Sequence, residues 1–514
     1  MTATGREGQG DHMAGRWYAL ALLTMTYAMS TVDRSMLAIV AERVKVDIGA
    51  SDAEIGLLYG TAFAIFYVLF GIPMGKLADA WSRRKLLSTT MVGWSLFTAA
   101  SGLARNFVQL LGARIGVGVG EAAVTPASHA MLSDFFPGGR RGFALAVYSC
   151  GAPLGTGIAL LLGAAVMGYW DKLLAQGETP LGLASWQAAM IAAGIPGLLL
   201  AILVARMPQP PLSEQRKTSS DVGALAVVGR EVASIIPIVS LFMLLRSHPR
   251  PGAALMRNQL LLAGLLAAGI LLAMLTGDRL QWIILGTGLY ATLTWAQIEA
   301  SQDDRFARLF LQRGLLLFAL LGFGCFAFGA LSFHSWWISF FARFHPDAGN
   351  IGPLLGILFM VFGVVGMLFG GFLGDRWKRR SRYGYLYTCL LSGSLSVPFI
   401  ALALYAPSTP LALVLVSIAI LALTMWLPPA AALMQEQVGA DMRGLSAGLY
   451  MLVSNFLGNG VGPYSVGRIS DATGDLRFAL ALCCCAGFAL GIVLLALALS
   501  ANRARADSVV AQAS

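Results

Sequence analysis

Charge is what this chain has least of. Asp, Glu, Lys and Arg make up 12% of its 514 residues, against 57% hydrophobic side chains. Soluble domains carry about 25% charged residues. The balance excludes a soluble enzyme with one anchor and points to an integral membrane protein with many spans. Cysteine is sparse too. All six (Cys150, Cys325, Cys389 and Cys483 to Cys485) fall within apolar runs, so no disulfide framework is implied. No Gly-x-x-x-x-Gly-Lys-[Ser/Thr] loop is present, which argues against an ATP-driven pump. No cofactor and no metal site are expected. No cleavable leader is expected either, because residues 1–15 are polar and the first apolar run continues past Asp33. The net charge of +10 sits in short loops between apolar runs, an orientation signal rather than a nucleic-acid surface.

What is present is a succession of runs of about 20 apolar residues, each able to cross ~30 Å of hydrocarbon. They fall near 17–40, 53–76, 85–104, 107–132, 142–168 and 184–205, and again near 314–341, 351–374, 383–405, 411–435, 444–467 and 476–500. A cytoplasmic N-terminus puts Arg83 to Lys85, Arg140, Arg141, Arg376 to Arg382, Arg443 and Arg503 inside, with both termini in the cytoplasm. Between the halves, 258–276 and 280–298 form an extra hairpin, while 222–246 and a helix around 303–312 lie in the cytoplasmic interface. The expected layout is all-α. It has a flexible 1–15, a six-helix bundle 16–206, a linker 207–312 with the hairpin at about 258–298, a second six-helix bundle 313–500, and a cytoplasmic tail 501–514. That makes about 14 spans, with the insertion peripheral to a transport core complete without it.

The most informative stretch is 113–135, apolar yet carrying Arg114 and Glu121. A charge at bilayer depth costs roughly 2.5–3.5 kcal/mol on insertion scales, so such a helix faces a wet cavity or protein. Two turns separate the pair, so both project from one face about 10 Å apart along the axis. Asp33 lies about 24 Å into the first helix, at a depth similar to Arg114. Glu121 and Asp33 are the candidate proton carriers and Arg114 the fixed cation, because burial favours a neutral carboxyl and a nearby guanidinium favours the ionised one. For Asp33 the plainer reading is a helix-end residue snorkelling outward beside Arg34. His129 and Asp134 fall on different helix faces, which excludes an acyltransferase pair. Pro153, Gly155 and Gly157 serve close packing, and Gln187 is a further polar candidate.

Internal repetition is strong. Gly-x-Leu-x-Asp-x-Trp-x-Arg-Arg occurs with Asp79, Trp81, Arg83 and Arg84, and in register with Asp375, Trp377, Arg379 and Arg380. Arg141-Gly142 stands seven residues before Tyr148, and Arg443-Gly444 seven before Tyr450. A duplicated six-helix unit follows.

These loops, together with Arg-x-x-x-Gly-x-Gly-Glu from Arg114 to Glu121 and the Gly/Pro-rich 150–163, resemble the major facilitator superfamily. Asp33-Arg34 and the segment 456–471 are similar to its spinster-like branch, with Asn459 where an acid is usual and Ala80 where Arg is usual in the loop. The resemblance implies two pseudo-symmetric halves and a proton-coupled secondary transporter working by alternating access. Its substrate would be amphiphilic, such as a lysophospholipid or sphingoid lipid, moved across the inner membrane. A transporter of small organic anions or drugs is the in-class alternative, and a membrane sensor that binds without moving its ligand the other. The expected partners are that amphiphilic or anionic substrate, protons and membrane lipids, with a monomeric protein. Arg114, Tyr27, His334, Trp336, Asn455 and Asn459 are the candidate substrate contacts. The repeated loops, Asp79, Arg83, Arg84 and Asp375, Arg379, Arg380, are the candidate conformational latch.

Overall fold

A computed structural model describes residues 4–136, 141–178, 180–208, 221–248, 250–302, 314–346, 351–436 and 443–513. Among them the long elements are all helices. These are α1 (Thr4–Ile48), α2 (Asp52–Ala80), α3 (Arg83–Ser101), α4 (Phe107–Phe135), α5 (Gly142–Ala175), α6 (Ser185–Ala205), α7 (Asp221–Ile235) and α8 (Pro237–Ser247). They continue as α9 (Pro251–Thr276), α10 (Arg279–Gln302), α11 (Gly314–Phe344), α12 (Gly352–Lys378), α13 (Gly384–Leu404), α14 (Thr409–Glu436), α15 (443–473) and α16 (Leu476–Ala513). Helices satisfy their own backbone groups, which hydrocarbon demands.

Ten helices among the described residues are long and apolar enough to cross a membrane: α2, α4, α5, α6, α9, α11 to α14 and α16. Of about 14 expected spans, ten meet that measure. The other four expected runs are helical as α1, α3, α10 and α15, but polar side chains such as Asp33, Arg34, Asn455, Arg468 and Asp471 dilute two of them. The expected interfacial 222–246 is two helices, α7 and α8, parted where Ile236 turns extended ahead of Pro237. The 303–312 helix lies outside the described residues.

The chain divides into two compact units. One holds residues 1–49, 66–232 and 350–360; the other holds 50–65, 233–349 and 361–514. The start of α2 therefore packs with the second unit, and the start of α12 with the first. Glycines permit both contacts. A Cβ on Gly60 would lie 2.1 Å from the Asn459 oxygen, and one on Gly356 would lie 2.9 Å from Leu160 Cβ and 3.0 Å from the Gly157 oxygen. Neither position has room for a side chain.

Helix starts leave backbone N–H groups unpaired, and the start of α2 satisfies its own with an unusual density of acceptors. Ser51 Oγ accepts from Glu54 N while Glu54 Oε2 accepts from Ser51 N, a capping box. The Asp471 carboxylate on α15 accepts from Asp52 N and Ala53 N at 3.0 and 2.7 Å. The Asp52 side chain is in turn clasped by both Nη atoms of Arg343 on α11, at 2.8 and 2.7 Å, and by Ser470 Oγ. In the first unit, Arg43 on α1 makes a two-point bond to Asp171 on α5 and reaches Ser185 on α6, while Trp186 donates to Asp47.

Proline explains two helix breaks. Proline cannot donate to residue i−4 and its ring clashes there. In α4 the helical hydrogen bonding is interrupted at Ala122–Ala123, with Pro126 four residues past Ala122; in α14 it is interrupted at Met425–Trp426, with Pro429 four past Met425, while the backbone of Ala122, Ala123 and Met425 stays right-handed helical. Two turns widen instead to π geometry, Leu57–Thr61 in α2 and Asn455–Asn459 in α15.

Candidate functional site

The first-unit site is built where α1 meets the upper part of α4. Glu121 is fully buried, and Arg34 Nε donates to its Oε2 at 2.7 Å. Arg34 keeps 22% side-chain exposure and lies 4.8 Å over the ring of Tyr67, whose hydroxyl pairs with Thr125 at 3.2 Å. Arg114, also fully buried, donates through Nη1 to the backbone oxygen of Asp33 at 3.1 Å. Asp33 is 2% exposed, with Trp94 and Thr98 beside its carboxyl. The two-turn spacing on α4 thus spreads its charges over consecutive residues of α1. Arg114 secures the Asp33 backbone, and the ion pair to Glu121 is made by Arg34.

Tyr27, one helical turn and a half before Asp33, stacks on Tyr148 of α5 with centroids 4.8 Å apart and planes 11° apart. His129 meets the edge of the same Tyr148 ring at 5.2 Å. A guanidinium, a carboxylate and an aromatic wall therefore share one region of the first unit.

The second-unit candidates are arranged differently. His334 Nδ1 and Tyr59 Oη lie 2.7 Å apart, joining α11 to the π turn of α2. Trp336 is 1% exposed; its Nε1 donates to the Pro463 oxygen at 2.9 Å and Arg343 lies over its ring. That places it in the packing between α11 and α15. Asn459 Nδ2 donates to Asn455 Oδ1 at 3.0 Å, and Asn455 donates to the Met451 oxygen at 2.8 Å, so both act along their own π turn. Gln187 accepts from Ala184 N and donates to the Ala104 oxygen, a cap at the start of α6.

The repeated loops are asymmetric. Arg83 is 9% exposed and donates to Asp134 at 2.7 Å, to the Ala78 oxygen at 3.0 Å and to Asp79 at 3.4 Å. Arg84 donates to the Met207 oxygen. In the second loop Lys378 pairs with Glu436, and Asp375 accepts from Tyr385 Oη at 2.9 Å. Arg379 and Arg380 are exposed. Asp134 and Glu436 each stand seven residues before an Arg-Gly pair, an echo readable in the chain that would have located both. Arg34 was the other residue to find. Its position directly after a buried acid is the signal.

Residues 23–463 match the Major Facilitator Superfamily. The chain belongs to this superfamily. It is 25% identical over 459 residues to an MFS-type efflux pump of Mycolicibacterium smegmatis, covering 89% of this chain and 85% of that one. It is 23% identical over 473 residues to spinster homolog 3 of Danio rerio, covering 89% and 77%. Over a shorter stretch, 36% of this chain and 37% of the other, it is 31% identical to a probable L-galactonate transporter of Escherichia coli. In three dimensions it resembles a bacterial homologue of the human lysosomal transporter Spinster in an inward-facing, unoccupied conformation. The TM-score is 0.65 at 22% identity, over 94% and 95% of the two chains. Both the superfamily and the spinster-like resemblance are thereby matched, and the chain is a multi-pass membrane transporter, not an enzyme.

Proposed function

We propose that this superfamily member is a proton-coupled secondary transporter of an organic anion, working by alternating access between two six-helix halves with fourteen spans. The Arg34–Glu121 ion pair carries the reading. A proton on Glu121 releases Arg34, whose guanidinium is the half-open cation of the site, to take an anionic group. An anion on Arg34 leaves Glu121 in need of a proton. Binding of each favours binding of the other, which couples their movement in the same direction. Arg114 holds the backbone of Asp33 in place beneath this exchange, and Asp33 is a second acid in reach of it. Tyr27, half-buried and backed by the stacked Tyr148, supplies an apolar surface beside the cation, which suits an amphiphilic anion such as a lysophospholipid or a phosphorylated sphingoid lipid. A second cargo, a small sugar acid, is favoured by the similarity of about a third of the chain to a galactonate transporter. The protein sits in the inner membrane with both termini cytoplasmic, and its latch residues Asp79, Arg83, Arg84 and Asp375, Arg379, Arg380 bias one conformation.

The test pairs binding with flux. A lysophospholipid and galactonate are titrated into purified protein, then offered to proteoliposomes under an imposed pH gradient. Glu121→Gln should keep anion binding and exchange but lose gradient-driven accumulation. Accumulation by Glu121→Gln against its gradient, with protons as the sole driving force, would refute the assignment.

A further inference from the structure

The inserted hairpin belongs to neither repeat, and its sequence reads as peripheral. Helix α9 fits that description, since none of its apolar window is buried and Leu260, Leu266, Ile270, Leu271 and Met274 are exposed. Helix α10 does not. Asn258 on α9 is fully buried and locks the hairpin internally, donating to Thr294 at 3.0 Å and accepting from Tyr290 Oη at 2.7 Å. A buried amide satisfied from both sides fixes one register between two apolar helices.

Held in that register, α10 touches α15 and α2 together. At its first turn, Asp278 accepts from Tyr464 Oη at 2.7 Å and pairs with Arg468 at 3.4 Å, while Trp282 stands edge-on to Tyr464 at 5.6 Å. One turn further in, fully buried Gln281 donates through Nε2 to the Gly460 oxygen at 3.3 Å. Thr61 Oγ1 on α2 donates to the same oxygen at 2.6 Å. A carbonyl has two lone pairs, and here one serves α2 and the other serves the hairpin. Two turns beyond, Gly288 passes so close to α2 that a Cβ would lie 2.3 Å from Ile65 Cγ2. Ile65 is the last residue of α2 that packs with the second unit; from Phe66 onward the helix belongs to the first.

We propose that the hairpin is a clamp over the contact between the start of α2 and α15, and that Gln281 is the positioning residue through which it slows release of that contact. The functional part rests on alternating access as proposed above: a cycle that moves the two six-helix halves must free residues 52–65, which belong to the first half in sequence, from α15. The Gln281 bond holds α10 to α15, with Gly288 set against Ile65, so that release breaks the Thr61 bond to the shared Gly460 oxygen and must slide Ile65 past Gly288.

The experiment uses the full chain in nanodiscs and proteoliposomes. Gln281→Leu keeps the volume and removes the donor; Asp278→Asn loosens the turn from outside the buried contact and serves if the first variant folds poorly. Amide hydrogen exchange is followed in 57–65 and 458–466, with 107–121 as reference. Losing one hydrogen bond of typical strength should speed exchange in the first two segments about three- to tenfold and leave the reference unchanged. Galactonate and lysophospholipid flux should show turnover rising with KM unchanged. Unchanged exchange in both variants overturns the clamp. Faster exchange with unchanged turnover overturns its role in the cycle. A wild-type protein that moves neither probe, with exchange responding as stated, would leave the clamp standing and count against the transporter reading alone.

Discussion

Removing Arg34 tests whether the two buried charges are truly coupled. Glu121 is 0% exposed and its Oε2 takes the Arg34 Nε at 2.7 Å, while the guanidinium retains 22% exposure. Deleting one partner of a buried pair costs ~3–5 kcal/mol, because the other charge is left in apolar surroundings. Arg34→Ala also loses the Tyr67 stacking at 4.8 Å, worth ~0.5–1 kcal/mol where partly exposed. Glu121→Gln should cost less, about 1 kcal/mol, since Arg34 can turn to water and the amide still accepts a bond. In the double variant Arg34→Ala/Glu121→Gln no charge is stranded. Its loss should fall short of the summed single losses by about 2–3 kcal/mol, the upper range for contacting residues. The assay is equilibrium unfolding of the four proteins in mixed detergent micelles. Additivity within ~0.5 kcal/mol would mean the pair is not formed, and the coupling scheme built on it would fall.

Two further outcomes follow from the packing. Gly60→Ala puts a Cβ 2.1 Å from the Asn459 oxygen and should cost about 1–3 kcal/mol, whereas Gly71→Ala, with open space around it, should be near neutral; melting of the two variants decides. Asp134→Asn should destabilise by about 1.5–3 kcal/mol because Arg83 is 9% exposed. Its repeat counterpart Glu436→Gln should cost under about 1 kcal/mol because that pair is 31% and 39% exposed, and equal losses would show that the two loops are equivalent.

Hydropathy made the helices legible because a span must be apolar for some 20 residues regardless of its neighbours. The same logic located Arg114, Glu121 and Asp33, since charge in such a run is conspicuous. Partners were harder. Arg114 and Glu121 share a face of α4 about two turns apart, and it is Arg34, reaching across from α1, that pairs with Glu121. A neighbour in sequence says nothing of which helix lies opposite. Trp336 was misleading for a related reason: an aromatic near a helix end suits an interface or a cavity equally, and only the Pro463 carbonyl shows that it is packed. The π turns leave no periodic mark at all, because one extra residue in a turn shifts a helix face without changing its apolarity. The repeat, by contrast, contained more than was read from it. Pro126 and Pro428 each stand eight residues before Asp134 and Glu436, so a proline and an acid recur together in α4 and α14.

The shared start of α2 has a consequence for biosynthesis. The Asp52 amide is capped by Asp471, 419 residues downstream. At ~5–20 residues per second, a ribosome needs about 20–80 s to deliver that acceptor after the donor has emerged. Over that interval Gly56 and Gly60 face no α15, and the first half of the protein waits in the membrane with an unfinished helix. Ser51 and Glu54, which cap the same helix from within four residues, are the bonds available to hold it meanwhile.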